Sequence, residues 1–305
     1  MKDKLLVLGA GSLTGFKLAS IASADFAVTA TYNLRNPDFD QITTFQLDAA
    51  DKSQLENVIQ KVDPDVIVNC VALNSVDYCE SHPEAAFKIN HKLVKTLVDT
   101  ALKINSKLVH LSTDSVFAGM KQEPYTELDS TNPINVYGES KLKGENEVLT
   151  VSSNLLIRAS VLYGWLPNHL SRIHTSSMKQ KNFAQWLINK LKQKAAVQII
   201  TDEYSSPIIA DDFAQSIIHL IKENESGVFH SAPPIQINRY DFSVRLAKHL
   251  GYDHNLIKPV TNKELGRNVK TAKNKCLDSS KLQKTGYRFL TLEESFDLIQ
   301  KQMAT

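Results

Sequence analysis

The 305-residue chain is short of the features that define several protein classes. It has three cysteines, Cys70, Cys79 and Cys276, and no C-x-x-C pair. That excludes a disulfide framework and a zinc ribbon, and it suits the reducing cytoplasm. Glycine (11) and proline (10) are sparse, which excludes fibrous and low-complexity chains. No apolar run approaches the roughly 18–20 residues that a membrane helix needs. The early stretch Leu5-Leu6-Val7-Leu8 is cut off by glycines and is too short for a signal-peptide core. An excess of either charge is also missing: 35 Lys and Arg against 33 Asp and Glu leave +2. A surface so nearly neutral does not suit a dedicated nucleic-acid binder. The nine histidines are scattered, and the nearest pairs, His169 with His174 and His249 with His254, are five residues apart. Five apart is not the spacing of one helix face, so no metal site is expected.

What is present is an ordinary globular composition, 42% hydrophobic and 22% charged. The length suits about two domains of roughly 100–200 residues each. In the first half short apolar runs alternate with helical patterns. Leu5–Leu8, Ala27–Tyr32, Thr43–Leu47, Asp65–Cys70, Lys107–Ser112 and Leu155–Ala159 read as strands. Val66-Ile67-Val68 is apolar on both faces, as in a parallel sheet covered by helices on each side. Ser53–Val62 and Pro83–Ile104 carry apolar residues at helical spacing. Strand–helix repetition predicts right-handed crossovers and a doubly wound α/β Rossmann sheet. The second half mixes helices (Phe183–Leu191, Asp211–Ile221, Arg239–Leu250, Leu292–Ile299) with strands (Val197–Ile200, Val228–His230), as in a smaller mixed α/β lobe. The expected division is residues 1–165 for a dinucleotide-binding domain, with 208–232 returning to it, and 166–305 for the smaller lobe. Trp165–Lys181 and Lys258–Lys275 are polar and basic and read as surface loops.

Chemistry enters at Gly9-Ala10-Gly11-Ser12-Leu13-Thr14-Gly15, which follows the first strand directly and opens a helix. Glycines let backbone approach a pyrophosphate, and a helix N-terminus offers free N–H groups and partial positive charge. The glycine spacing fits neither Gly-x-Gly-x-x-Gly nor Gly-x-x-Gly-x-x-Gly cleanly, because position 12 is Ser. The second strand ends at Thr31-Tyr32-Asn33 without the acid that commonly holds the ribose of NAD; the first acid is Asp38. Arg35 offers a guanidinium for a 2′-phosphate instead, so NADP(H) is favoured over NAD(H). Further on, Tyr137 and Lys141 stand at i and i+4 and share a helix face. An ammonium beside a phenol is expected to lower the tyrosine pKa and ready it for proton transfer.

With these motifs the chain resembles an extended short-chain dehydrogenase/reductase, and more narrowly the dTDP-4-dehydrorhamnose reductase family. The resemblance is carried by Pro64-Asp65-Val66-Ile67-Val68-Asn69-Cys70-Val71-Ala72, Val76-Asp77-Tyr78-Cys79-Glu80 and Ser112-Thr113-Asp114-Ser115-Val116-Phe117. It continues in Asn135-Val136-Tyr137-Gly138-Glu139-Ser140-Lys141-Leu142-Lys143-Gly144-Glu145 and Asp202-Glu203-Tyr204-Ser205-Ser206-Pro207. It implies a catalytic trio: Thr113 binding the substrate oxygen, Tyr137 giving the proton, and Lys141 binding the nicotinamide ribose. It implies that Gly9, Gly11, Ser12, Leu13 and Gly15 line the pyrophosphate, Asp48 the adenine, and Cys70, Val71, Ala72 and Leu73 the two riboses. Ala159 and Ser160 would approach the nicotinamide amide, Asn90 matches a helix asparagine near the core, and Asp114 and Ser115 would face the substrate.

The resemblance therefore implies a reductase of a nucleotide-activated 4-keto-sugar. It departs from the family at Ser115, where a Tyr is usual, and at Val161, near which the family carries a Trp. Losing two aromatic faces removes stacking for a deoxyhexose. A nucleotide-sugar epimerase and a non-catalytic NADP-binding subunit, like the methionine adenosyltransferase regulatory beta subunit, are the alternatives. A 4,6-dehydratase would need an acid at Ser115. Arg172 is either a diphosphate contact or a surface arginine. In many relatives the helices from Pro83 and Val136 pair across a dimer, which leaves a homodimer open here.

Overall fold

The computed structural model describes residues 2–167, 170, 182–266 and 269–304. All but four residues of the expected loop Trp165–Lys181, Arg172 included, lie outside them.

The strands fall where the apolar runs predict them: β1 (Lys4–Leu8), β2 (Ala27–Tyr32), β3 (Thr43–Gln46), β4 (Val66–Asn69), β5 (Lys107–Thr113) and β6 (Leu155–Ala159). With Gly227–Ser231 they form a seven-stranded sheet in the order Gly227–Ser231, β6, β5, β4, β1, β2, β3. Every pairing in it is parallel. Alternate residues serve opposite faces, as a pleat requires. Leu5, Val7, Val66 and Val68 pack with Leu18, Phe213 and Ile217 on one side. Leu6, Leu8 and Ile67 pack with Leu55, Ile59, Leu93 and Leu97 on the other. Each such side chain, fully buried, contributes about 1.5–3 kcal/mol. Helix α1 (Leu13–Ala22) packs with Ala210–Lys222 on the first face, and α2 (Lys52–Val62) lies on the second.

After α3 (Val76–Ser81), the segment expected to be one helix from Pro83 to Ile104 has three parts. These are α4 (Pro83–Phe87), a π turn over Lys88–Lys92, and α5 (Leu93–Lys103). The wider turn brings the Asn90 carbonyl against Gly144 of α6 (Val136–Val148), where any Cβ would overlap it. Hydrophobic spacing does not reveal a one-residue bulge, because the apolar stripe continues through it.

A second core gathers Tyr163, Trp165, Leu187, Ile188, Phe242, Leu246 and Phe296 from the C-terminal half. There Val197–Ile200 pairs in parallel with Ile257–Val260. No helix among the described residues is long and apolar enough to cross a membrane.

Strand order reverses at β1, which has β4 on one side and β2 on the other. In a doubly wound sheet the crevice beyond the carboxyl ends at such a reversal is where ligands sit.

Candidate active site

The turn after β1 is shaped by close backbone contacts. Gly9 has a φ of +86°, a conformation that glycine adopts without cost. A Cβ at Gly11 would lie 2.7 Å from the Arg35 carbonyl oxygen, and one at Gly15 would overlap the Gly9 carbonyl. Ser12 caps α1: its Oγ donates to the Gly9 carbonyl (2.8 Å) and accepts from the Gly15 amide (3.0 Å). The hydroxyl therefore completes the turn that a glycine usually makes.

A cleft opens over this turn, lined by Gly9, Gly11, Ser12, Arg35, Asp48, Cys70, Val71 and Ala72 among others. Nine of the eleven sequence candidates assigned to cofactor contact alone, apart from Ala159 and Ser160, are thus brought together, Leu73 included. Leu13 and Gly15 are set back from the cleft, and Gly15 acts by letting α1 approach Gly9. The Arg35 side chain is buried at its base, and its Nη1 donates to the Gly11 carbonyl (3.2 Å). Asp48 Oδ1 accepts from the Ala50 amide (3.0 Å).

The second group of candidates stands at the carboxyl end of β5. Thr113 ends that strand, and its Oγ1 accepts from the Ser115 amide and donates to Asp114 Oδ1, both at 3.2 Å. Tyr137, on the first turn of α6, has the Thr113 side chain beside it, which favours its ionised form. The helix start is held by Asn135, whose Oδ1 accepts from the Gly138 amide (2.9 Å). Tyr137 also packs against the small cluster of Leu73, Cys79 and Ala86, whose Leu73 lines the cleft, so the two groups adjoin.

Burial pushes the Tyr137 phenol above its ordinary value, with Asp114 and Cys79 adding to it and Thr113 opposing it. The lowering expected from Lys141 is not what the geometry delivers. Lys141 Nζ donates to the Leu111 carbonyl (2.6 Å) and lies 3.2 Å from His110 Nε2. Both partners belong to β5. Burial pushes the ammonium down to about 8, while Glu145 and Cys70 pull it up.

Asp114, Ser115 and Ser160 meet each other first. Asp114 Oδ1 accepts from Ser115 Oγ (3.1 Å), and Oδ2 accepts from Ser160 Oγ (2.9 Å). Ser160 Oγ also accepts from the Ser206 amide (3.1 Å). Lys275 Nζ stands 4.0 Å from Asp114 Oδ1. Sequence reading missed Lys275 as more than a loop cation, because 161 positions separate it from Asp114.

A buried polar array lies behind this end of the sheet. Glu145 accepts from Ser112 Oγ (2.5 Å), Arg158 Nε (3.0 Å) and Arg158 Nη2 (2.7 Å). Arg158 Nη1 lies 3.4 Å from His230 Nε2. Burial, with Arg158 beside it, draws His230 down to about 3. Asn90 Oδ1 accepts from the Leu73 amide (2.9 Å), and its Nδ2 donates to the Leu73 carbonyl and Ser140 Oγ (both 3.0 Å). Asn69 and His110, also missed, face each other across the β4–β5 register. The pairing of these two strands was the signal that could have found them.

Residues 2–303 match the family model described as RmlD substrate binding domain. The probable low-salt glycan biosynthesis reductase Agl14 of Haloferax volcanii is 31% identical over 279 residues, covering 91% of this chain and 90% of that protein. A dTDP-4-dehydrorhamnose reductase of Aggregatibacter actinomycetemcomitans is 27% identical over 292 residues, covering 92% of each. A crystal structure of dTDP-4-dehydrorhamnose reductase from Bacillus anthracis in complex with NADP superposes with a TM-score of 0.85. It covers 99% of this chain and 100% of its own, at 24% identity, a likeness of fold.

Proposed function

The chain belongs to the RmlD substrate binding domain family, and on that premise we propose that it is an NADP(H)-dependent reductase of a nucleotide-activated 4-keto-sugar resembling dTDP-4-dehydrorhamnose. The observation that carries this reading is the placement of Tyr137 beside Thr113 at the carboxyl end of β5, with Lys141 one helical turn on and the glycine turn alongside. Named relatives that are reductases support the reaction class.

The residues of the cleft fit a dinucleotide. The space over Gly11 is closed to any side chain, the adjoining α1 N-terminus suits a pyrophosphate, and Arg35 suits a 2′-phosphate. NADPH, when bound, supplies the hydride. Hydride arrival at the carbonyl carbon leaves negative charge on its oxygen. Tyr137 gives its proton to that oxygen, and Thr113 orients the carbonyl by hydrogen bonding. A phenol raised by burial stays protonated until the alkoxide develops, as a donor must. Lys141 binds the nicotinamide ribose. Residues 1–165 with 208–232 hold the cofactor, and the remainder of 166–305 holds the sugar nucleotide, with Asp114 and Ser115 facing the sugar.

The test is NADPH oxidation with dTDP-4-dehydrorhamnose, comparing the wild type with Tyr137→Phe. The reading expects turnover that falls by about 10²–10⁴-fold in the variant, with NADPH binding retained. No turnover by a wild type that binds NADPH overturns this substrate. A different sugar nucleotide or a regulatory role then takes its place.

A further inference from the structure

Behind Lys141 lies a buried row of groups whose hydrogen-bond polarity can be followed atom by atom. The Val71 amide can only donate, and it lies 3.0 Å from Asn69 Oδ1. That contact orients the Asn69 side-chain amide. Asn69 Nδ2 is therefore the group 3.1 Å from His110 Nδ1, and it too can only donate. His110 Nδ1 must present its lone pair, so a neutral imidazole carries its hydrogen on Nε2. Nε2 is the atom 3.2 Å from Lys141 Nζ.

An ammonium there would set N–H against N–H. A neutral amine resolves the conflict: it accepts from His110 Nε2 and donates to the Leu111 carbonyl at 2.6 Å. His110 cannot relieve the clash by ionising, since a second proton on Nδ1 would face the Asn69 donor. Its complete burial, with Lys141 adjacent, also holds it well below its usual value.

Resting on the reading of Lys141 as a cofactor-binding residue, we propose that Asn69 and His110 are positioning residues that hold Lys141 as a neutral amine in this conformation at mildly alkaline pH. Lys141 then takes a proton from solvent as it leaves His110 for the ribose hydroxyls of the cofactor. The groups facing Lys141 permit this. On its own helix Glu145 favours the ammonium but is shared with Arg158 and Ser112. Cys70 faces it from the end of β4, and His110 with the Leu111 carbonyl from β5. Burial brings the ammonium down to about 8, so the neutral amine prevails at mildly alkaline pH.

The experiment is calorimetric titration of NADPH into the protein in buffers of different ionisation enthalpy. At about pH 8.5 the 2′-phosphate, with a pKa near 6, is fully ionised and contributes nothing. Wild type is expected to take up roughly half a proton or more per NADPH at about pH 8.5, and far less near pH 6.5. Asn69→Asp accepts from both Val71 and His110 Nδ1, turns the tautomer over, and leaves Nε2 to accept from an ammonium. His110→Gln can likewise offer an oxygen. Either variant should bind NADPH without the uptake. A merely structural role would lower Tm and leave the proton count alone. Wild-type NADPH binding with no uptake at about pH 8.5 overturns this inference but not the proposed function, as does full uptake in a folded variant. Failure to bind NADPH at all overturns both.

Discussion

Ser160 Oγ donates to Asp114 Oδ2 at 2.9 Å, so the residue after β6 is tied directly to the residue after β5. The same oxygen accepts the Ser206 amide. One hydroxyl thus joins two neighbouring strand ends to a segment that precedes the helix Ala210–Lys222. Replacing it leaves a buried carboxylate oxygen and a buried amide without this partner. Ser160→Ala is expected to cost about 1–3 kcal/mol, the penalty for such groups, read from urea unfolding. If Asp114 orients the sugar, KM for the sugar nucleotide rises in the same variant while NADPH affinity stays.

Gly11→Ala tests the cleft. The new methyl would lie 2.7 Å from the Arg35 carbonyl, and a backbone atom cannot swing aside as a flexible side chain can. The turn must open, taking the pyrophosphate amides with it. NADPH Kd is expected to rise at least about tenfold, equivalent to about 1.4 kcal/mol, by fluorescence titration. An unchanged Kd would mean that the turn does not hold the cofactor.

Arg35→Gln separates cofactor choice from structure. Glutamine can keep a donor for the Gly11 carbonyl but removes the charge. NADPH affinity should fall by about tenfold or more, as for losing a charge-assisted contact, with NADH affinity little changed. Equal losses for both cofactors would remove Arg35 from 2′-phosphate recognition.

Buried histidines make a pH prediction with a definite sign. His110 and His230 are neutral in the fold, held there chiefly by burial, His230 at about 3. In the unfolded chain each takes a proton near pH 6.5. The unfolded state then binds more protons, so stability is full above about pH 6.5 and lost as pH falls below it, at about 1.4 kcal/mol per unit for each histidine. Urea unfolding between pH 7 and 5 should show this slope, and His230→Gln should halve it.

The Glu145–Arg158 pair is buried on both sides, with side chains 1% and 6% exposed. Arg158→Met leaves a carboxylate whose remaining partner is the Ser112 hydroxyl. Breaking such a pair costs about 3–5 kcal/mol, measurable as a lowered Tm. A loss below about 1 kcal/mol would show that water or a neighbour replaces the guanidinium.

Much of this protein was legible before any coordinates. The strands of the first half were marked by apolar runs, and Gly9, Gly11 and Gly15 by their position between β1 and α1. Tyr137 and Lys141 were marked by i, i+4 spacing. Each is a local signal, carried within a few residues. The π turn at Lys88–Lys92 was hidden because one extra residue leaves the apolar stripe nearly intact.

The sequence by itself determined the doubly wound sheet, the glycine turn and the presence of a tyrosine and a lysine on one helix face. These depend on periodicity and on backbone freedom, which are properties of neighbours. Only the tertiary structure decided what those side chains touch. It placed Lys141 against His110 and the Leu111 carbonyl, gathered Ser115, Ser160 and Lys275 around Asp114, and buried Glu145 with Arg158. Hydrogen-bond partners and burial are set by groups from distant parts of the chain, so spacing along the sequence does not encode them.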